Sequence, residues 1–313
     1  MDVWSGWKSA LAISIFLVSV CLGGTQSLMA FHFEPQVAGD DWSSPEHCNA
    51  ECCSDESCSF APYRACREPL WTLHGGAIYL QRDRNSSAPL VVGNNRTLRG
   101  SDFDFDYEWG FEVAARRRVD ACTTLELRYF QVDDWNESAA DVTPASAIQF
   151  PTPGVLGVTT LSPEYSSELR SAEINLHQQW SRDITFLIGF RYLNLDERLA
   201  LNGTIGGAPS STLDIDSRND LYGGQIGAEA LLLQSGRWTF DGNLKAGVYY
   251  NDAGNSLTAT GLVLTNLAFS DSSTAFVGEI GIAGNYWLTE RLAARVGYQL
   301  LWVEGVAVAS DQV

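Results

Sequence analysis

"ITFLIGFRYLNL" (184–195) places Ile184, Phe186, Ile188, Phe190 and Tyr192 at every second position, with Thr185, Gly189 and Arg191 between them. Successive side chains of a strand point to opposite faces, so this period lays large apolar groups on one surface and polar or small ones on the other. A helical period of 3.6 would scatter both sets around a cylinder. Three more stretches repeat the division. In "LAARVGYQLLWVE" (292–304), Leu292, Ala294, Val296, Tyr298, Leu300 and Trp302 oppose Arg295, Gly297 and Gln299. In "WTFDGNLKAGVYY" (238–250), Trp238, Phe240, Leu244, Val248 and Tyr250 oppose Thr239, Asp241, Asn243 and Lys245. In "SAEINLHQQW" (171–180), Ile174, Leu176 and Trp180 oppose Glu173, Asn175 and His177.

Nine such runs are visible, at 70–81, 102–118, 122–133, 168–180, 184–195, 220–233, 238–250, 274–287 and 292–304. Very short connections at 119–121, 181–183, 234–237 and 288–291 alternate with long polar ones at 82–101, 134–167, 196–219 and 251–273. No sustained i, i+3, i+4 stripe or capping box marks a helix. Tight turns at one end and long loops at the other fit an outer-membrane barrel better than a soluble sandwich, whose two ends carry loops of mixed length. The runs also reach the ~9–11 residues that a tilted strand needs to cross a bilayer. Trp180, Trp238, Tyr286 and Trp287 flank the tight turns, whereas Phe103, Phe105, Tyr129, Tyr192, Tyr250 and Trp302 sit toward the long loops. Two aromatic belts are the mark of two membrane interfaces. The fold expected is therefore all-β, an up-and-down antiparallel transmembrane barrel at 69–313, with a soluble exported barrel as the alternative.

Nine antiparallel strands would leave the first and last parallel, unlike the even counts of bacterial barrels. The expectation is a tenth strand, missing beyond a C-terminus at Val313; closure by part of the N-terminal segment is the other solution. Residues 1–30 read as a signal peptide, because Lys8 precedes the apolar stretch "ALAISIFLVSVCLGG" (10–24) and small residues follow. A retained anchor or a lipidated Cys21 is the competing reading. Export would place Cys48, Cys52, Cys53, Cys58, Cys66 and Cys122 in an oxidising compartment as disulfide candidates. Five of them crowd an irregular periplasmic segment at 31–68. A zinc site would show cleaner C-x₂-C pairs, though His47 beside Cys48 keeps it open.

A net charge of −18 with only two lysines, Lys8 and Lys245, argues against nucleic-acid binding, since phosphates would be repelled. The polar faces carry both signs: Glu112, Arg116, Glu126, Arg128, Glu173, Arg191, Glu229, Asp241, Lys245, Glu279 and Arg295. In a barrel of ~8–10 strands these lumen charges crowd a narrow bore and pair there, as a structural plug or a narrow selective pore.

"SDFDFDYEWGFEV" (101–113) raises the sharpest question of facing. Its Asp102, Asp104 and Asp106 imitate a calcium loop, but Tyr107 and Val113 stand where that loop needs Gly and Glu. The reading preferred is a two-solvent strand with Phe103, Phe105, Tyr107, Trp109 and Phe111 toward lipid. Its acids would then join Asp133 and Asp134 as an acidic cluster at the mouth. No metal and no cofactor are expected. The four histidines, His32, His47, His74 and His177, offer no external His–Asp or Ser–His site, so an enzyme is not expected.

"GSDFDFDYEWGFEV", "LELRYFQVDDW", "FLIGFRYLNLDE", "NDLYGGQIGAE", "AGVYYNDA" and "GYQLLWVEGVAVASDQV" resemble the paralogous outer-membrane β-barrels of planctomycetes, grouped with porins resembling the Legionella major outer membrane protein. The resemblance spans about 71–313 and implies a Gram-negative outer-membrane location. It implies lipid and the barrel-assembly machinery as partners and small solutes or ions as possible cargo, but no catalytic motif. Such barrels end on an aromatic residue, and this chain stops at Asp311-Gln312-Val313. The function expected is a structural or narrow porin-like barrel with long acidic loops; a surface binding or adhesion module is the alternative.

Overall fold

The computed structural model describes residues 10–22, 70–82, 89–92, 94–143, 158–261, 265–289 and 291–309. Its strands are β1 (Ala10–Leu22), β2 (Trp71–Arg82), β3 (Pro89–Val92), β4 (Thr97–Arg99), β5 (Tyr107–Arg118), β6 (Thr123–Ser138), β7 (Thr160–Gln179), β8 (Ile184–Ile205), β9 (Ala208–Ser235), β10 (Trp238–Thr260), β11 (Thr265–Trp287) and β12 (Leu292–Glu304). Ten of them close into one barrel in the order β1-β12-β11-β10-β9-β8-β7-β6-β5-β2, while β3 and β4 form a separate hairpin. All ten strand pairs around the barrel are antiparallel, and its closure leaves the barrel no open edge.

The even strand count holds, but its tenth member differs from the expectation. β1, drawn from the segment read as an export signal, pairs with β12 on one side and β2 on the other. The open donors and acceptors of two facing edge strands need a partner, and a thirteen-residue segment is long enough to supply one. The Cys-rich segment 31–68 lies outside the described residues, as do Cys48, Cys52, Cys53, Cys58 and Cys66. Cys122, in the β5–β6 turn, is disulfide-bonded. That turn is held by Asp120, whose Oδ1 accepts the Cys122 and Thr123 N–H groups at 2.9 and 2.8 Å. The Cys122 N–H, with the other donors to this carboxylate, keeps its pKa below the ordinary aspartate value.

The outer surface shows the lipid belt. Leu176, Ile188 and Ile226 stand side by side across β7, β8 and β9 and are 42, 61 and 65% exposed. So much contiguous apolar surface would not remain in water. An aromatic row bounds the belt on one side, running laterally from Tyr129 across Ala172 to Tyr192, Tyr222 and Tyr250. Near the tight turns Trp238 lies opposite Tyr286, their rings 4.9 Å apart. Trp238 and Tyr250 are twelve positions apart on β10. At ~3.4 Å per residue and a tilt of ~40°, that spans roughly 30 Å, the thickness of a bilayer core.

Two of the expected loops are wall instead. Segments 196–219 and 251–273 continue β8 through β11 well past the tyrosine row. β8 turns into β9 at Gly206 and Gly207, both with positive φ, the conformation that a tight two-residue hairpin requires. The reason the sequence hides these strands is a change of hydrophobic phase. On β8 the apolar residues up to Tyr192 are, apart from the buried Leu187, even-numbered and outward; beyond it Leu193, Leu195, Leu199 and Leu201 are odd-numbered and buried inward. The pleat has not slipped. The outer face has passed from lipid into water, and the inner face from a polar bore into an apolar core.

Candidate functional site

The barrel interior has three storeys, each set by which residues the strands turn inward at that height. At the tight-turn end is a cavity of about 290 Å³, lined by His74, Arg116, Glu126, Glu229, Asp241 and Arg295 among others, with Arg182 and Asp183 of the β7–β8 turn at its rim. Arg116 donates to Glu126 and, at 2.6 and 3.1 Å, to both Glu229 oxygens. Arg295 donates to Asp241 and Asn285 at 3.3 and 3.0 Å. His177, 3% exposed, sits between Glu126 and Glu229.

Above it lies an ionic belt. Arg128 is its hub, pairing with Glu112, Glu173 and Glu279 at 2.7, 3.0 and 2.8 Å. Arg191 joins Glu279 at 3.0 Å, and Lys245 joins Glu173 at 2.9 Å. Three cations thus face three carboxylates, and Asn175 and Gln225 donate to the remaining Glu173 lone pairs. Charges desolvated inside a barrel persist only when paired and hydrogen-bonded in this way. The Tyr249 ring closes part of the bore because β9 and β10 carry glycine beside it. A Cβ at Gly223 or Gly247 would come within 2.6 or 2.7 Å of that ring.

The outer storey is an apolar plug. Leu90, Val91 and Leu98 of the β3–β4 hairpin, Phe103, Phe105, and Val306 and Val308 after β12 all pack into the mouth against inward leucines of β8. An ion pair between Arg82 and Glu197 pierces it, and the other Glu197 oxygen accepts from Tyr165 Oη and the Ala309 N–H at 2.6 and 2.9 Å.

The eleven charges singled out from the sequence therefore all line or cross the interior, in two storeys rather than one file. The acids of the mouth do not come together. Asp102 pairs with Arg96 at 2.6 Å and caps the Arg99 N–H. Asp133 accepts from Gln131 and lies 3.8 Å from Arg170. Asp104 and Asp106 face solvent, and among the described side chains these acids form no group close enough to share an ion. Asp134 lies on β6, its side chain outside the described residues.

The reading of 101–113 needs correction at its start. β5 begins only at Tyr107, and Phe103 and Phe105 are 0 and 1% exposed, their rings tilted and edge-on to Tyr165 at 5.2 and 5.3 Å. Trp109 and Phe111 do face outward, 59 and 46% exposed. Before Tyr107 the chain leaves the wall and folds into the mouth, so strand parity no longer tells which way a side chain points. Sequence reasoning also missed Arg82, Tyr165 and Glu197, which fell in or beside segments taken for loops. Within the segment read as the loop 196–219, the inward leucines alternating with polar residues were the available signal.

No curated protein matches the sequence at a significant level. Among solved structures, the toluene transporter TbuX of Ralstonia pickettii is similar at 10% identity and TM-score 0.34, over 96% of this chain and 90% of that one. The P. putida toluene transporter TodX is similar at 10% identity and TM-score 0.29, over 96% and 88%. A family model described as Putative beta barrel porin-7 (BBP7) matches residues 129–313, more than half of the chain. The closed antiparallel barrel agrees with that description, and the chain belongs to the beta barrel porin-7 family.

Proposed function

We propose that this protein is a non-enzymatic outer-membrane barrel whose bore is a narrow, porin-like path for small ions or solutes, held here in a closed state. The observation that carries the reading is the stack itself: a charged vestibule open at the tight-turn end, a neutral ionic belt, and a plug built from separable elements, the β3–β4 hairpin and the segment after β12. A purely structural barrel has no need of a vestibule beneath a removable stopper. The narrower kinship, to planctomycete barrels resembling the Legionella major outer membrane protein, rests on the quoted motifs. Lipid and the barrel-assembly machinery are the partners this location implies.

Planar-bilayer recording tests the reading. The parent should give rare, small steps, and deletion of 89–99 should raise their frequency and size, because three plug side chains leave with that hairpin. Silence from both proteins, correctly folded, would remove the channel. A surface-binding role has one observation in its favour: β8–β11 rise beyond the tyrosine row as a polar wall, with Arg198 paired to Asp214 and Arg218 to Asp220.

Export carries its own prediction. Signal cleavage would remove 10–22 and with it β1, leaving β2 and β12 to find another neighbour. The N-terminal sequence of protein extracted from outer membranes decides between the roles. A start at 28–31 makes 10–22 a signal, while a chain retaining Ala10 makes it a wall strand.

A further inference from the structure

His177 is a buried imidazole set between two carboxylates that Arg116 already bridges. Its imidazole is 3% exposed, and neither ring nitrogen makes a hydrogen bond. Nε2 lies 3.3 Å from Glu126 Oε1, and Nδ1 lies 3.7 Å from Glu229 Oε2. Buried polar atoms whose nearest acceptors are long or poorly aligned leave part of their desolvation cost unmet, which a better-placed partner would offset. Glu126 on β6, His177 on β7 and Glu229 on β9 each bring one ligand atom within 4.8 Å of the other two, the one such trio among the described residues.

We propose that Glu126, His177 and Glu229 form a binding site for a borderline divalent cation of the zinc type, with the Arg116 guanidinium occupying the cation's place in the form described. One imidazole and two carboxylates form a mixed nitrogen–oxygen donor set that suits Zn²⁺; Ca²⁺ and Mg²⁺ prefer oxygen alone. Tetrahedral ligand atoms at ~2.0–2.2 Å from Zn²⁺ lie ~3.3 Å apart, so side-chain rotation must draw the trio in by roughly 1.5 Å. Asn175 already orients Glu126, donating to its Oε1 at 3.0 Å, the kind of support that holds a ligating carboxylate. Glu126 and Glu229 line the vestibule, which supplies the route to the site.

Arg116 is what stands in the way, and it makes the idea testable. Its guanidinium bridges the same two carboxylates, yet its side chain is 31% exposed to the vestibule into which it would swing. With Arg116 withdrawn, two carboxylates and a neutral imidazole offset a divalent charge. Metal and guanidinium therefore compete for one pair of acids.

The test is calorimetric titration of Zn²⁺ into the full-length folded protein in detergent micelles, its free thiols alkylated so that the Cys-rich segment does not contribute. Ca²⁺ is the control for a merely acidic surface. One Zn²⁺ should bind per barrel. His177→Gln and Glu229→Gln should each weaken binding about tenfold or more, and Arg116→Ala should tighten it about tenfold by removing the competitor. Binding that is insensitive to His177→Gln, matched by Ca²⁺, or weakened by Arg116→Ala overturns the assignment. Because Arg116→Ala tests it by a gain, a folding failure of the other variants would not shelter it. Because binding is read without conductance, the outcome is separate from the channel reading.

Discussion

A barrel carrying Arg128→Met unfolds with about 3–5 kcal/mol less stability than the parent, as expected when one partner of a buried ionic cluster is removed. Arg128 pairs with Glu112, Glu173 and Glu279, and the side chains of all four are at most 11% exposed. Methionine matches the length of the stem but leaves three carboxylates facing the two remaining cations, Arg191 and Lys245. Glu112 pairs in this belt with Arg128 alone, so adding Glu112→Gln removes the orphaned charge and should restore most of the loss. Urea unfolding of the micelle-folded protein, followed by tryptophan fluorescence, gives both numbers. A single variant costing under about 1 kcal/mol would mean that the belt is solvated rather than sealed, since that is the scale of an exposed pair.

Phe105→Ala and Ile188→Arg should fail in different ways, because one side chain is in the plug and the other in lipid. Phe105 is 1% exposed, with Arg82 over its ring at 4.7 Å. Its truncation should cost about 3–5 kcal/mol as a cavity in a packed core, leave membrane insertion intact and raise conductance. Ile188 is 61% exposed in the middle of the belt. Arginine there should cost about 2–4 kcal/mol through charge at the bilayer midplane and reduce insertion into vesicles. Heat-modifiability on gels reads insertion, and bilayer recording reads the plug. Loss of insertion in Phe105→Ala, with Ile188→Arg behaving as the parent, would return Phe105 to the lipid face.

The difference between these two residues shows how far the chain could be read. Ile188 was assigned correctly because inside a bilayer one rule governs the strand: apolar outward, polar inward, period two. From the same rule came the eleven charges assigned to the bore and the two aromatic belts. It misassigned Phe105 and lost the upper halves of β8–β11, where the outer solvent becomes water and the apolar residues move to the inner face. A period survives that reversal, but its meaning does not.

By itself the sequence determined the architecture, because alternation and tight turns are local and each strand carries its own signal. It assigned eleven charges of both signs to the interior and left out Arg82 and Glu197. Which charges meet was decided only by closure of the barrel: Arg128 and Glu279 are 151 residues apart and touch across the bore. The plug likewise exists only in three dimensions. The β3–β4 hairpin, Phe103, Phe105 and Val306 share no pattern along the chain, and the packing of the mouth brings them together. The same closure sets His177 between two carboxylates from other strands, a placement no spacing could announce.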